Sequence, residues 1–256
     1  MRISKSVRVL ALLLILLFVI VYTFGQKRAS TNWLEPLQVV IYPVNADGTP
    51  EIDRYIANLT KKDFTGIERF FTKQAERYVM GLDDPVAISL GQTTTLPPMP
   101  GEADAGVLSF MLWSLRFRYW AWKNAPDDES NYRRARIYVL YHTPVPGRRL
   151  AHSYALSKGL LGYVNAFAST DQQTQNNVVI AHELLHTVGA TDKYGPDGEP
   201  LWPDGYADPD GRRYPQRRAE IMGGRIPLAP GKSKMPESLR SCVIGPLTAA
   251  EIRWLR

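Results

Sequence analysis

The sequence is poor in the side chains that cross-link a chain. A single cysteine, Cys242, stands among 256 residues, which excludes any disulfide within the chain and any zinc site of the C-x-x-C kind. Alone, Cys242 is expected to behave as a small buried hydrophobe. Histidine is also scarce, with four copies, at positions 142, 152, 182 and 186. There is no internal repeat. No basic stripe is interleaved with aromatic residues, so nucleic acid is not an expected partner. The net charge of +6 is moderate. It owes part of its value to Arg2, Lys5 and Arg8, in a segment without an acidic residue. With 45% hydrophobic and 22% charged residues the composition is that of a folded globular protein, which argues against extensive disorder. The length accommodates one substantial domain with its own core.

Residues 9–25 carry no charge and are dominated by Leu, Val and Ile. As a helix the run would extend roughly 25 Å at ~1.5 Å per residue, slightly short of a ~30 Å hydrocarbon core. It is longer than the ~7–15-residue core of a signal peptide, and no A-x-A-like cleavage site follows. An uncleaved signal anchor, a single transmembrane helix, is expected, with a cleaved signal peptide as the alternative. Residues 1–8 are then a cytoplasmic N-terminus, 26–36 a linker, and 37–256 a catalytic domain outside the cytoplasm. The expected location is the cell membrane, single-pass, with the domain periplasmic or extracellular. Cleavage would make the protein secreted.

Residues 37–44 are rich in β-branched side chains and end at Asn45-Ala46-Asp47-Gly48, the pattern of a strand and a turn. Over 62–80, Phe64, Ile67, Phe70, Phe71, Ala75, Tyr78 and Val79 recur at helical spacing, and Gly81 closes the helix. A second strand is expected over 86–90 and a Pro-rich loop over 96–101. A helix over 106–123 carries Trp113, Trp120 and Trp122, which read as core packing. Strands over 136–141 and 160–168 precede a helix over 177–188. The chain then becomes rich in Pro, Gly and Asp up to about residue 236, interrupted by Ala219-Glu220-Ile221-Met222-Gly223-Gly224. A last helix is expected over 247–255, with Thr248 and Glu251 as a T-x-x-E capping box. The fold class is α+β, a twisted mixed sheet packed on helices.

One stretch commits to a chemistry. Residues 182–192 read H-E-x-x-H-x-x-G-x-x-D. On a helix, His182 and His186 lie on one face and present their imidazoles to a single ion. Glu183 sits about 100° further round, beside the metal, where it can take a proton from water. Gly189 allows a sharp reversal after the helix, which would bring Asp192 round as a third ligand. The helix is apolar on most faces, so these polar side chains would be costly there without a purpose. Two imidazoles and a carboxylate suit Zn²⁺ and leave a fourth position open.

The chain resembles the metzincin-like zinc metallopeptidases in H-E-x-x-H-x-x-G with a third ligand and a later methionine-containing turn. The acidic residue after the glycine, followed by Tyr194, is similar to the snapalysin-type and immune-inhibitor-A-type peptidases. The resemblance implies a zincin domain with a buried zinc-binding helix. It implies that His182, His186 and Asp192 are zinc ligands, Glu183 the general base and Met222 the turn residue beneath the metal. Glu220 is the alternative third ligand. The strand over 160–168 would be the edge against which an extended substrate pairs.

These readings converge on a membrane-tethered zinc endopeptidase acting on a protein or peptide. A zinc amidase cutting a non-protein amide such as cell-wall peptide, and a non-catalytic zinc-binding interaction domain, are the alternatives. Tyr194, Tyr206 and Tyr214 are candidates for stabilising an oxyanion. His142 and His152 read as strand-end or loop residues. Asp197, Asp204, Asp208 and Asp210 are candidate Ca²⁺ ligands, although Pro-Asp-Gly is also plain turn chemistry. The arginine-rich pieces 133–136 and 212–218 read as solvated surface, with a rim favouring acidic substrates as the alternative.

Overall fold

Nearly every residue of the first strand is buried, because both of its faces are covered. Helix α1 (Lys5–Ser30) leads into β1 (Leu37–Asn45), where pleating sends alternate side chains opposite ways. Val39 and Ile41 enter one apolar cluster, whereas Val40, Tyr42 and Val44 enter another. The structure, a computed structural model, describes residues 4–101, 106–124, 134–145, 147 and 150–255.

The chain continues through α2 (Pro50–Ala57), α3 (Thr65–Arg77), β2 (Val86–Leu90), α4 (Gly106–Lys123) and β3 (Arg134–His142). Then come β4 (Tyr154–Leu156), β5 (Leu161–Phe167) and α5 (Gln173–Thr187). The sheet order is β2-β1-β3-β5-β4, with β4 antiparallel to β5 and the other pairs parallel. Parallel neighbours need long crossovers; those from β1 to β2 and from β2 to β3 carry α2, α3 and α4, and the one from β3 to β5 carries β4. Ile67 and Phe71 of α3 join Ile180 and Leu184 of α5 in the cluster on one face. Trp113, Phe117 and Ala121 of α4 cover the other. Trp113 and Phe117 stack at 5.5 Å, and full burial of such a ring is worth ~1.5–3 kcal/mol. The result is a mixed α/β architecture with the metal-motif helix buried against a five-stranded sheet.

After α5 the chain forms β6 (Ala219–Glu220), the hairpin β7 (Ile226–Ala229) and β8 (Lys232–Lys234), then β9 (Cys242–Val243) and α6 (Pro246–Glu251). Strands β6 and β9 pair with each other.

Four expectations are corrected. Among the described residues no helix is long and apolar enough to cross a membrane, so the transmembrane helix and single-pass membrane location expected from residues 9–25 are withdrawn. The uncharged run is short for a bilayer, and the last turns of α1 belong to the fold. Gln26 Oε1 accepts the Gly159 N–H at 3.1 Å, and Ser30 is buried. The stretch 26–36 is not a free linker either, since Trp33 is buried and donates to the Ile252 carbonyl at 2.7 Å. Strand β5 is not the sheet edge, because β4 pairs with it at Tyr154–Tyr163, Ala155–Gly162 and Leu156–Leu161. The capping box of α6 does not form. Its N-cap is Gly245, without a side-chain cap bond, and Thr248 and Glu251 bond elsewhere. Helix α2 was not expected, since its eight residues bury only Ile52 and Ile56.

Candidate metal centre

Helix α5 ends in a Schellman turn. The Ala190 N–H donates to the Leu185 carbonyl and the Gly189 N–H to the His186 carbonyl, each at 3.1 Å, satisfying carbonyls that a helix end leaves free. Gly189 has φ +109°, which side chains disfavour and glycine accepts. The reversal sets the Ala190 carbonyl 2.8 Å from His186 Nδ1. Two residues later it delivers Asp192 to the face carrying His182 and His186.

His182 is held from another direction, with its Nδ1 2.9 Å from the Ile221 carbonyl. Carbonyl oxygens only accept, so both rings carry hydrogen on Nδ1 and turn Nε2 inward. The two Nε2 atoms are 3.1 Å apart. Asp192 Oδ1 lies 3.2 Å from His182 Nε2 and 3.1 Å from His186 Nε2. Two imidazole lone pairs and a carboxylate oxygen aimed at one point repel each other until a cation joins them. One ligand atom from each residue lies within 4.8 Å of the others, and no other His/Cys/Asp/Glu group of this kind occurs among the described residues. The donor set fits a divalent zinc ion, and the carbonyl bonds to Nδ1 are the outer-sphere contacts that orient ligating histidines.

A proton on an inward-facing Nε2 relieves that repulsion as a cation would, and the electrostatics show the pull toward it. Burial opposes charge on His182, but the hydrogen bond to Asp192, the Glu183 charge and the Ile221 carbonyl outweigh it and push its pKa up to about 9. Burial likewise opposes ionisation of Asp192, yet the hydrogen bonds from His182 and His186 hold its carboxyl well below the usual range.

Glu183 is 5% exposed, and its Oε2 is buried without a hydrogen-bond partner. Burial pushes its carboxyl up, while His182 and His186 pull it down. His152, read from the sequence as a loop residue, is close enough to add to that pull. A buried carboxylate oxygen with a free lone pair beside two imidazoles is placed to accept a proton.

Glu220 stays outside the cluster. Its Oε1 accepts from the Gly245 N–H at 3.0 Å and the Thr248 hydroxyl at 2.8 Å, and its Oε2 accepts from the Gly223 N–H at 2.8 Å. It is a buried brace for the turn that carries Met222. That turn works largely through its backbone, with Ile221 O fixing His182 and Met222 O accepting the Lys193 N–H at 2.9 Å. The Met222 side chain is buried in the core beneath.

The sequence reading missed a latch on the Asp192 loop. Lys193 Nζ donates to Glu251 Oε2 at 2.7 Å and to the Thr191 carbonyl at 2.7 Å. Glu251 also accepts the Thr191 N–H at 3.0 Å and hydroxyl at 2.6 Å. Its partners are about sixty positions away, so no local spacing signals it. A second missed network places His142 between Asp47 and Asn165, at 2.8 and 3.0 Å. The Asn165 amide in turn holds the His152 carbonyl at 2.9 Å, fixing the loop beside Glu183.

Of the three tyrosines, Tyr194 alone stands at the site. Its ring stacks on His182 at 6.3 Å, and burial together with the Asp192 carboxylate holds its phenol well above the usual range. Tyr206 and Tyr214 bond each other at 3.0 Å. Asp197 and Asp208 accept the Glu199 and Gly211 N–H groups as turn residues. They do not converge with Asp204 and Asp210 into a metal-binding group. Arg133 lies outside the described residues, and Arg212, Arg217 and Arg218 are exposed. Comparison with protein-family models finds no match, and none is found among curated proteins.

Proposed function

We propose that the chain is a zinc-dependent endopeptidase that hydrolyses peptide bonds in a protein or peptide substrate. One observation carries the reading. Three ligand atoms converge on one point, with both Nδ1 atoms committed to carbonyls, and the partnerless Oε2 of Glu183 stands beside them.

His182, His186 and Asp192 would hold the ion and leave a coordination position open. A zinc ion there supplies Lewis-acid polarisation of the scissile carbonyl and acidifies water. Glu183 takes the proton at Oε2 and passes it to the leaving amine. Its buried setting raises its proton affinity toward what a base at neutral pH requires. The outer edge of β4, beside α5, offers backbone groups with which an extended peptide can pair. Tyr194, whose ring stacks on His182, flanks the third ligand.

The test is cleavage of a broad peptide library by the purified chain. Cleavage should stop with chelator and return with zinc. Glu183→Gln should lower the rate by roughly 10²–10⁴-fold, as loss of a general base does, with zinc stoichiometry unchanged. A protein that binds zinc at His182, His186 and Asp192 but leaves the library intact would overturn the peptidase reading.

A further inference from the structure

A cleft of about 750 Å³ opens between α3, the first turns of α5 and the Leu239–Ser241 turn. It stands apart from the metal centre. Thr174 and Asn177 line it from the N-terminal half of α5, whereas His182 and His186 occupy the other half of that helix. Four cations border it, Arg69, Lys73, Arg218 and Arg240. They come from three separate segments of the chain. Arg69 and Lys73 are one helical turn apart on α3, Arg218 directly precedes β6, and Arg240 lies in the turn before β9.

Among the described residues none of the four forms an ion pair with a carboxylate. The one acid on the rim, Glu237, is exposed and sits 4.0 Å from Lys234. Gathering like charges around a concave surface is unfavourable by itself, and such a cleft focuses a positive field outward. The guanidinium of Arg69 is also held in place, donating to the Thr65 carbonyl at 3.3 Å and hydroxyl at 3.1 Å.

The floor indicates what kind of anion fits. Its polar groups are already satisfied. Asn177 donates to the Asp63 carbonyl at 2.7 Å and Gln74 accepts the Ile244 N–H at 3.0 Å. Phe70 is the one aromatic ring in the lining and is buried, so there is no stacking platform for unpaired bases. Burial and the Glu220 charge push the Cys242 thiol up to about 12, so it offers no thiolate there. The cleft is therefore built for binding through its rim. Guanidinium and ammonium groups spread along a groove match carboxylates spaced along an extended chain, with arginine forks taking them two hydrogen bonds at a time.

We propose that this cleft binds an acidic polypeptide segment, with Arg69, Lys73, Arg218 and Arg240 as the recognition residues. The proposal is independent of what the metal centre does. The probe is a fluorescein-labelled hexaglutamate peptide, followed by fluorescence anisotropy with the full chain. Binding should saturate, weaken steeply as salt is raised, and be absent for a glycine–serine peptide of the same length. The double variant Arg218→Ala/Arg240→Ala should weaken it by roughly tenfold or more, as expected for losing two charge-assisted contacts. Arg54→Ala, at an exposed pair remote from the cleft, should leave it unchanged. Arg218→Glu/Arg240→Glu should turn the preference toward hexalysine, a gain that misfolding does not produce. Failure of hexaglutamate to saturate, equal binding by the alanine double variant, or displacement by inorganic pyrophosphate at lower concentration than by unlabelled hexaglutamate would each overturn it.

Discussion

Lys193 Nζ lies 2.7 Å from Glu251 Oε2, and that ion pair ties the loop carrying Asp192 to the last helix. Lys193 is only 4% exposed, so removing its partner strands a buried charge. Glu251→Gln should destabilise the fold by ~3–5 kcal/mol in urea denaturation. It should also weaken zinc binding, because Thr191 loses the acceptor that anchors it beside Asp192. The pH dependence has a definite sign. Burial opposes ionisation of Glu251, but the bonds from Lys193 and Thr191 outweigh it and hold its carboxyl below the ordinary 4.5. Its stabilisation is therefore present above pH 4.5 and is lost as pH falls through the depressed folded value. Comparing wild type with Glu251→Gln across the acid range isolates this contribution. An unchanged pH slope in the variant would contradict it.

The reversal at Gly189 sets the position of Asp192, the proposed third ligand. Gly189→Ala should cost about 1–2 kcal/mol of stability. Competition titration should show weaker zinc binding as well, since Asp192 no longer reaches His182 and His186 with the same geometry. Wild-type zinc affinity in this variant would show that the loop beyond the turn places Asp192 unaided.

Asp192 and Glu220 are separable by their readouts. Asp192→Ala removes a proposed ligand and should abolish tight zinc binding; in the metal-free protein it should also lose the stabilisation that the depressed Asp192 carboxyl reports. Glu220→Gln perturbs a buried side chain with three hydrogen bonds, whose carboxyl burial pushes up, and should cost ~1–3 kcal/mol, the cost of leaving a buried group unsatisfied. The folded fraction should still bind one zinc. The opposite pattern would transfer the third ligand to Glu220.

Zinc should also stabilise the native state. At free zinc about 100-fold above the Kd the gain is ~2.7 kcal/mol, visible as a rise in the thermal midpoint that chelator reverses. His182→Ala should show no zinc-dependent rise. A comparable rise in that variant would place the ion elsewhere.

Much of the fold was legible because its signals are local. The runs at 37–44 and 86–90 are strands, and the spacing of Ile67, Phe70 and Phe71 matches α3. The strand at 160–168 was located closely, but not its neighbour. Strand β4 has three residues, too few for alternation to register, and it covers β5 as the new edge. Thr248 and Glu251 show the opposite failure. Their spacing matches a capping box, yet each has a stronger partner far along the chain, Glu220 for one and Lys193 with Thr191 for the other.

The sequence alone places His182, Glu183 and His186 on one helix, because a four-residue interval fixes direction through backbone geometry. It also identifies Gly189 as the reversal and so nominates Asp192. Tertiary contacts settle the remainder. The carbonyls of Ile221 and Ala190 choose which ring nitrogen faces inward, and three hydrogen bonds hold Glu220 outside the cluster. Gln26 and Trp33 draw the end of α1 and the segment after it onto the domain, where hydropathy had indicated an anchor and a linker. Each of these outcomes except the Ala190 and Gly223 bonds joins residues tens to hundreds of positions apart. A one-dimensional pattern carries the periodicity of a helix or strand, but it does not carry those distances.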